Sequence, residues 1–203
     1  MLGAVPHRPA SLRLRCLLAL ALTGSAALAC IPRGDLVARD GSRRMMARDP
    51  DTGITVILTL GAWDGSPNNL DEDITVIHAL VANMGSNTVR LAPGDLDFYD
   101  ERGFQRELLD AGGSFLVSGE SDSGYHPGRK LDFGRIEWNG GDVGATALPW
   151  GNLKPGTQMR GYIYFQRLDN HGNAASLTWH FFNDKDQPLV DLAFDLFVVR
   201  PRG

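Results

Sequence analysis

The chain has 203 residues, with 20 Lys and Arg against 24 Asp and Glu, 24 Gly, 11 Pro and only 2 Cys. That length suits one domain, and the Gly and Pro content leaves little room for long helices. The slightly acidic balance argues against a nucleic-acid-binding protein, and two cysteines are too few for a disulfide scaffold.

Residues 1–29 read as an export signal. Arg8, Arg13 and Arg15 make a positive start, no acidic residue precedes Asp35, and an apolar run from Cys16 to Leu22 leads through Thr23, Gly24 and Ser25 to Ala29. Charged, apolar and then small is the order of a secretory signal. The 14 residues from Cys16 to Ala29 fall short of the ~20 apolar residues that span a bilayer. Removal of the segment takes away three basic residues and no acidic ones, leaving 17 against 24 and a formal charge of −7. Such a product repels nucleic acid and anionic headgroups. Cys16 is lost with the signal, so Cys30 is the one cysteine left. Alone it makes neither an internal disulfide nor a structural zinc site.

The residues Ala27-Leu28-Ala29-Cys30 resemble the lipobox of bacterial lipoproteins, in which the cysteine becomes the lipid-modified first residue. The family prefers Leu three places before the cysteine and a small residue two before, where this chain has Ala27 and Leu28. The resemblance implies lipid attachment at Cys30. Ile31 is not the Asp that retains many lipoproteins at an inner membrane, which favours the outer membrane. The same residues also suit an Ala-x-Ala cut and simple secretion.

Residues 30–52 carry many Arg, Asp and Gly and few large apolar groups. They are expected to form the lipidated tether, with a turn over Asp40-Gly41 and with Met45-Met46 pinning the tether to the domain. Arg33-Gly34-Asp35 is a tripeptide common enough by chance to carry no adhesive meaning.

From residue 53 the signal is β. Ile54, Val56, Leu58 and Leu60 alternate with Thr55, Ile57 and Thr59; further runs cover Ile74 to Asn83, Gly161 to Phe165 and Leu177 to Phe182. In a further run, Val190 to Val198, the residues Val190, Leu192, Phe194, Leu196 and Val198 share a face opposite Asp191 and Asp195. A period of two with β-branched and aromatic residues marks strands. Only "RELLDAG" suits a helical turn. Several short strands with frequent turns predict an all-β domain over 53–203, a two-sheet sandwich or a barrel.

Two stretches bear on that choice. In "VANMGSNTVRLAPGDLDFYDERG" a strand ends at Asn83-x-Gly85, an apolar stretch reaches Leu91 near Pro93, and a strand with Phe98 runs into Asp100-x-x-Gly103. In "LKPGTQMRGYIYF" a Leu153-x-Pro155-Gly156 turn feeds Gly161-x-Ile163-x-Phe165. Together they resemble bacterial immunoglobulin-like, telokin-like domains of exported and lipid-anchored proteins. The resemblance spans roughly residues 54–199 and implies an immunoglobulin-like antiparallel two-sheet sandwich. It is nearly silent on chemistry. Residues 111–150 depart from it, and an inserted hairpin or loop is expected there.

Candidate chemistry is sparse. His78 and His180 sit within strands and read as packed or half-exposed side chains. His126 and His171 lie in loops and are the residues through which a metal-binding or enzymatic sandwich would act. The acidic runs "DLDFYDE" and "NDKDQ" lack the EF-hand spacing, and no Gly-x-Ser-x-Gly elbow or phosphate-cradling loop occurs. If Ile163 and Phe165 point inward, Tyr162 and Tyr164 point outward, and this aromatic pair is the candidate binding surface. The expectation is a non-enzymatic lipoprotein of the bacterial cell envelope without metal or cofactor. It would be held to the membrane at Cys30 and would bind another envelope protein or a surface ligand.

Overall fold

The computed structural model describes residues 34–111, 142–168 and 172–200, together with the backbone of two strands at 115–118 and 133–136. Among the described residues twelve strands occur in chain order: β1 (Asp35–Val37), β2 (Arg44–Arg48), β3 (Ile54–Leu60), β4 (Thr75–Asn83), β5 (Val89–Leu91), β6 (Leu96–Asp100), β7 (Phe115–Ser118), β8 (Phe133–Ile136), β9 (Gly151–Leu153), β10 (Thr157–Phe165), β11 (Ala174–Asn183) and β12 (Pro188–Val199). Single-turn helices α1 (Leu70–Asp73) and α2 (Asp142–Thr146) lie between strands of the described chain.

The strands form the expected antiparallel two-sheet sandwich. One sheet runs β1-β12-β11-β5-β9, with β6 also paired to β11; the other runs β10-β4-β3-β2. Strand alternation decides which faces meet. Val56, Leu58, Ile77, Ala79 and Val81 from one sheet pack with Phe98, Leu177, Trp179, Phe181 and Leu196 from the other in a single core. Asp191 and Asp195 fall on the opposite, exposed side of β12. Residues 115–118 and 133–136 pair as a separate two-stranded antiparallel sheet within 111–150, where an inserted hairpin or loop was expected.

Three local expectations change. The segment expected to be a tether contributes two strands: β1 pairs with β12 in one sheet and β2 with β3 in the other. The turn over Asp40-Gly41 therefore joins two sheets, with the Ala38 carbonyl accepting from the Gly41 N–H at 2.9 Å. Short strands with Arg44 and Arg48 exposed are typical sheet edges, and their polar composition conceals them. Met45 packs against the core while Met46 stands in solvent. Second, the residues of "RELLDAG" up to Ala111 form no helix. Leu108 bridges Phe165, and the Leu109 N–H donates to the Tyr164 carbonyl at 2.7 Å, so β10 captures the segment in extended form. Third, α1 and α2 cover part of the outer face of β10, which was expected to be open.

The motifs that carried the resemblance meet in space. Asn83, 1% exposed, accepts from the Gly85 N–H through Oδ1 at 3.0 Å and donates through Nδ2 to the carbonyls of Asn87 (2.8 Å) and Leu153 (3.0 Å). Its own carbonyl accepts from the Gly156 N–H at 2.8 Å. Asn-x-Gly and Leu-x-Pro-Gly are thus two halves of one clamp, closing the β4 end of one sheet onto β9 of the other. At Gly85 a Cβ would lie 1.9 Å from the Thr52 carbonyl oxygen, so only glycine fits there. Asp-x-x-Gly is a second clamp: Asp100 Oδ1 accepts from the N–H groups of Arg102 and Phe104, and Oδ2 accepts from Arg106.

Candidate functional site

β10 brings the predicted aromatic pair to the outer face of its sheet. Ile163 and Phe165 enter the core, 1% and 0% exposed, and Phe165 meets Phe98 with ring centroids 4.7 Å apart. Tyr162 and Tyr164 point the other way, as parity requires. Their surroundings then differ. Tyr164 is only 1% exposed, sealed by Leu70, Ile74, Val76 and Val143 in a small second core. Its hydroxyl donates to the Val143 carbonyl at 3.1 Å. Tyr164 is therefore not the open surface side chain expected, because α1 and α2 cover it, although it still borders the cleft beside Tyr162. Burial also pushes its hydroxyl above the ordinary tyrosine pKa.

Tyr162 remains half-buried at the rim. Its ring meets Trp63 edge-on at 5.0 Å and His78 edge-on at 5.1 Å. Its hydroxyl donates to the Ala62 carbonyl at 2.8 Å, with Asp64 Oδ1 3.3 Å away. Burial, then the Asp64 charge, raises its pKa. Trp63 is fixed by an Nε1–H bond to the Pro67 carbonyl at 2.7 Å. The His78 pKa is held below the ordinary histidine value first by burial and then by the Arg160 cation, which favours the neutral ring.

Beside Tyr162 opens a cleft of about 320 Å³, with Leu108, Leu109, Leu148, Trp150 and Tyr162 among its walls. Two of its lining residues, Ala147 and Leu148, are packed against Gly161. The segment at 147–148 runs flat across β10, with Ala147 bridging Tyr162 and the Leu148 N–H donating to the Tyr162 carbonyl at 2.8 Å. A Cβ on Gly161 would lie 2.5 Å from Leu148 N and Cα. The Gly-x-apolar-x-Phe pattern is thus explained by a backbone crossing.

A second polar group lies on the outer face of the other sheet. His180 on β11 has Asp191 of β12 at 2.8 Å from Nδ1 and Asp97 of β6 at 3.3 Å from Nε2. Carboxylates only accept, so both contacts are satisfied together only by the imidazolium. The Asp191 bond, followed by that to Asp97, raises the His180 pKa against a smaller opposing effect of burial. Nearby, Arg90 reaches Asp95 at 2.9 Å and Asp186 at 3.0 Å, and lies over the Phe182 ring at 5.1 Å. Burial raises the Asp95 pKa even so. These groups join neighbouring strands. Among the described residues no group of three His, Cys, Asp or Glu is arranged to hold a metal ion.

Cys30, His126 and His171 lie outside the described residues. Sequence reasoning passed over Trp63, which the long β3–β4 connection brings onto Tyr162. It also passed over the Asp97–His180–Asp191 bridge. The outward parity of all three was readable, but the register that aligns them was not.

No family model matches the chain, and no curated protein does. Two solved structures show distant likeness. One is the candidate lipoprotein ycdA of Bacillus subtilis subsp. subtilis str. 168, with 11% identity and a TM-score of 0.36 over 69% of this chain; the match spans about a third of that protein, 35% of its length. The other is MPT63, a secreted protein from Mycobacterium tuberculosis, with 13% identity and a TM-score of 0.32, covering 78% of this chain and 92% of that one. Likenesses this distant carry no argument about what the present protein does.

Proposed function

We propose that this chain is a non-enzymatic lipoprotein of the bacterial cell envelope, anchored at Cys30, whose sandwich binds another envelope protein or a surface ligand. The observation that carries the binding role is the cleft beside Tyr162. Its volume, about 320 Å³, falls at the lower end of ligand-pocket sizes, and its walls are mostly apolar with a tyrosine and a tryptophan at hand. Trp150 is 36% exposed at its edge. Aromatic side chains in such positions supply large contact area with little loss of conformational freedom. The placement in the envelope rests on the signal-like residues 1–29 and on Cys30 as the sole remaining cysteine.

A photo-crosslinking side chain placed at Trp150 in the native host tests the binding role. A discrete adduct is expected from position 150 and none from Asp195, on the exposed face of β12. Equal capture at both positions, or none at 150, would reject the cleft as the contact. Anchoring is tested separately by the intact mass of the mature N-terminal peptide. A diacylglyceryl-bearing Cys30 is expected, and an unmodified Cys30 would place the protein among secreted ones.

A further inference from the structure

We infer that the end of the sandwich carrying Phe104 and Val199 rests directly on the bilayer that holds the anchor. This rests on the lipid-anchor reading of Cys30. The first observation is the length of chain between the anchor and the fold. A tether from Cys30 to Gly53 could stretch over ~80 Å, enough to hold the domain clear of the surface. That tether does not exist in this form, because β1 begins at Asp35 and pairs at once with Val199, Val198 and Phe197 of β12. Gly34 is already packed: a Cβ there would fall 2.1 Å from Val198 Cγ1. Three residues lie between Cys30 and Gly34, so the reach from one to the other is at most ~14 Å.

The second observation is what this end presents. Of the five large apolar side chains most exposed among the described residues, Phe104 (62%) and Val199 (54%) are both here. A chain of contacts joins them to the entry point. Asp35 is opposite Val199; the Val198 N–H donates to the Asn173 carbonyl; and the Asn173 N–H donates to Glu101 in the Asp100–Phe104 turn. Phe104 is itself held in place, since its N–H donates to Asp100 and its carbonyl accepts from the Asp100 N–H.

Three carboxylates at this end have partners within the protein, Asp35 and Glu101 at the surface and Asp100 buried. Asp35 lies 3.4 Å from Arg43, Glu101 accepts from Asn173, and Asp100 is buried against Arg106. An exported chain of formal charge −7 gains nothing from anionic headgroups. The contact is therefore apolar: a rigid aromatic and a valine inserted at the headgroup level, where such side chains settle favourably. Anchor and insertion reinforce each other, since the short spacer keeps both at the same surface.

Single cysteines introduced as Phe104→Cys, Val199→Cys and Met84→Cys in the full chain test this, with lipidated protein recovered in phosphatidylcholine vesicles. Met84 follows β4 at the opposite end, about 30 Å from the Thr75 end by strand rise, and is 68% exposed. All three positions are exposed, so labelling with an environment-sensitive fluorophore need not disturb the core. Iodide quenching is expected to be several-fold weaker at 104 and 199 than at 84, with blue-shifted emission at 104. With lipid confirmed on Cys30 by mass, equal quenching at all three positions would overturn the docking and leave the anchor standing. An unmodified Cys30 would overturn both.

Discussion

Replacing Asn83 by alanine removes the side chain that ties together the loops at one end of the sandwich. Three bonds go at once. The Leu153 carbonyl, in a buried setting, loses a donor, a loss of about 1–3 kcal/mol. The Asn87 carbonyl and the Gly85 N–H are only partly buried, so water replaces some of what is lost, at about 0.5–1.5 kcal/mol each. The total centres on roughly 4 kcal/mol, a sizeable share of a stability that for domains is typically about 5–15 kcal/mol. Urea denaturation followed by tryptophan fluorescence should show the midpoint falling by about 1–2 M at unchanged slope. Asn83→Asp sharpens the test. It keeps the acceptor for Gly85 but sets a carboxylate oxygen against two carbonyls, and burial adds to the penalty on the charged form. The folded-state pKa of that aspartate is then raised, so its stabilising protonated form is lost as pH rises through the raised value. Asn83→Asp should be less stable than Asn83→Ala at neutral pH and should recover toward about pH 4. A loss below about 0.5 kcal/mol for alanine, or an aspartate variant indifferent to pH, would refute the clamp.

Gly161→Ala forces a Cβ into the backbone of Leu148, which has no flexible end to move aside, and should cost about 1–3 kcal/mol by thermal melting; a neutral result would mean that the 147–148 crossing is loose. Phe165→Ala empties a fully buried site against Phe98 and should cost about 3–5 kcal/mol in the same urea assay, whereas a loss under about 0.5 would invert the assigned parity of β10. The raised pKa of His180, due first to Asp191 and then to Asp97, gives stability that is fully present below the ordinary histidine value and lost as pH rises through the folded-state pKa. His180→Gln should therefore lower the melting temperature more at about pH 6 than at about pH 9, and the reverse order would reject the ion bridge.

Much of the architecture follows from local chemistry. The alternation from Ile54 to Leu60 reappears as alternate fully and partly buried positions, and Leu192, Phe194 and Leu196 share the inward face that Asp191 and Asp195 avoid. Glycine and proline mark real turns: Gly156 takes φ +73 after Pro155, and Gly103 takes φ +80 after Asp100. A side chain's preference for one face, or a residue's tolerance of positive φ, depends on itself and its immediate neighbours, so a pattern of period two or a Pro-Gly pair declares it without knowledge of the rest.

Partnership between strands was a different matter. Residues 35–48 were too polar to declare themselves as strands, yet β12 and β3 offered open edges that accept any extended backbone. Leu108 and Leu109 were drawn out of a helical turn by the edge of β10 in the same way. Tyr164 has the outward parity of Tyr162, and only the arrival of α1 and α2 makes one a core residue and leaves the other at the rim. Asn83 and Leu153 are 70 residues apart, and Asp97 and His180 are 83 apart. Backbone hydrogen bonds carry no side-chain label, so which edge pairs with which, and in what register, is decided by the packing of the whole sandwich. The candidate site inherits that: its tyrosine was legible in the sequence, while its other walls came from segments that tertiary packing alone brought together.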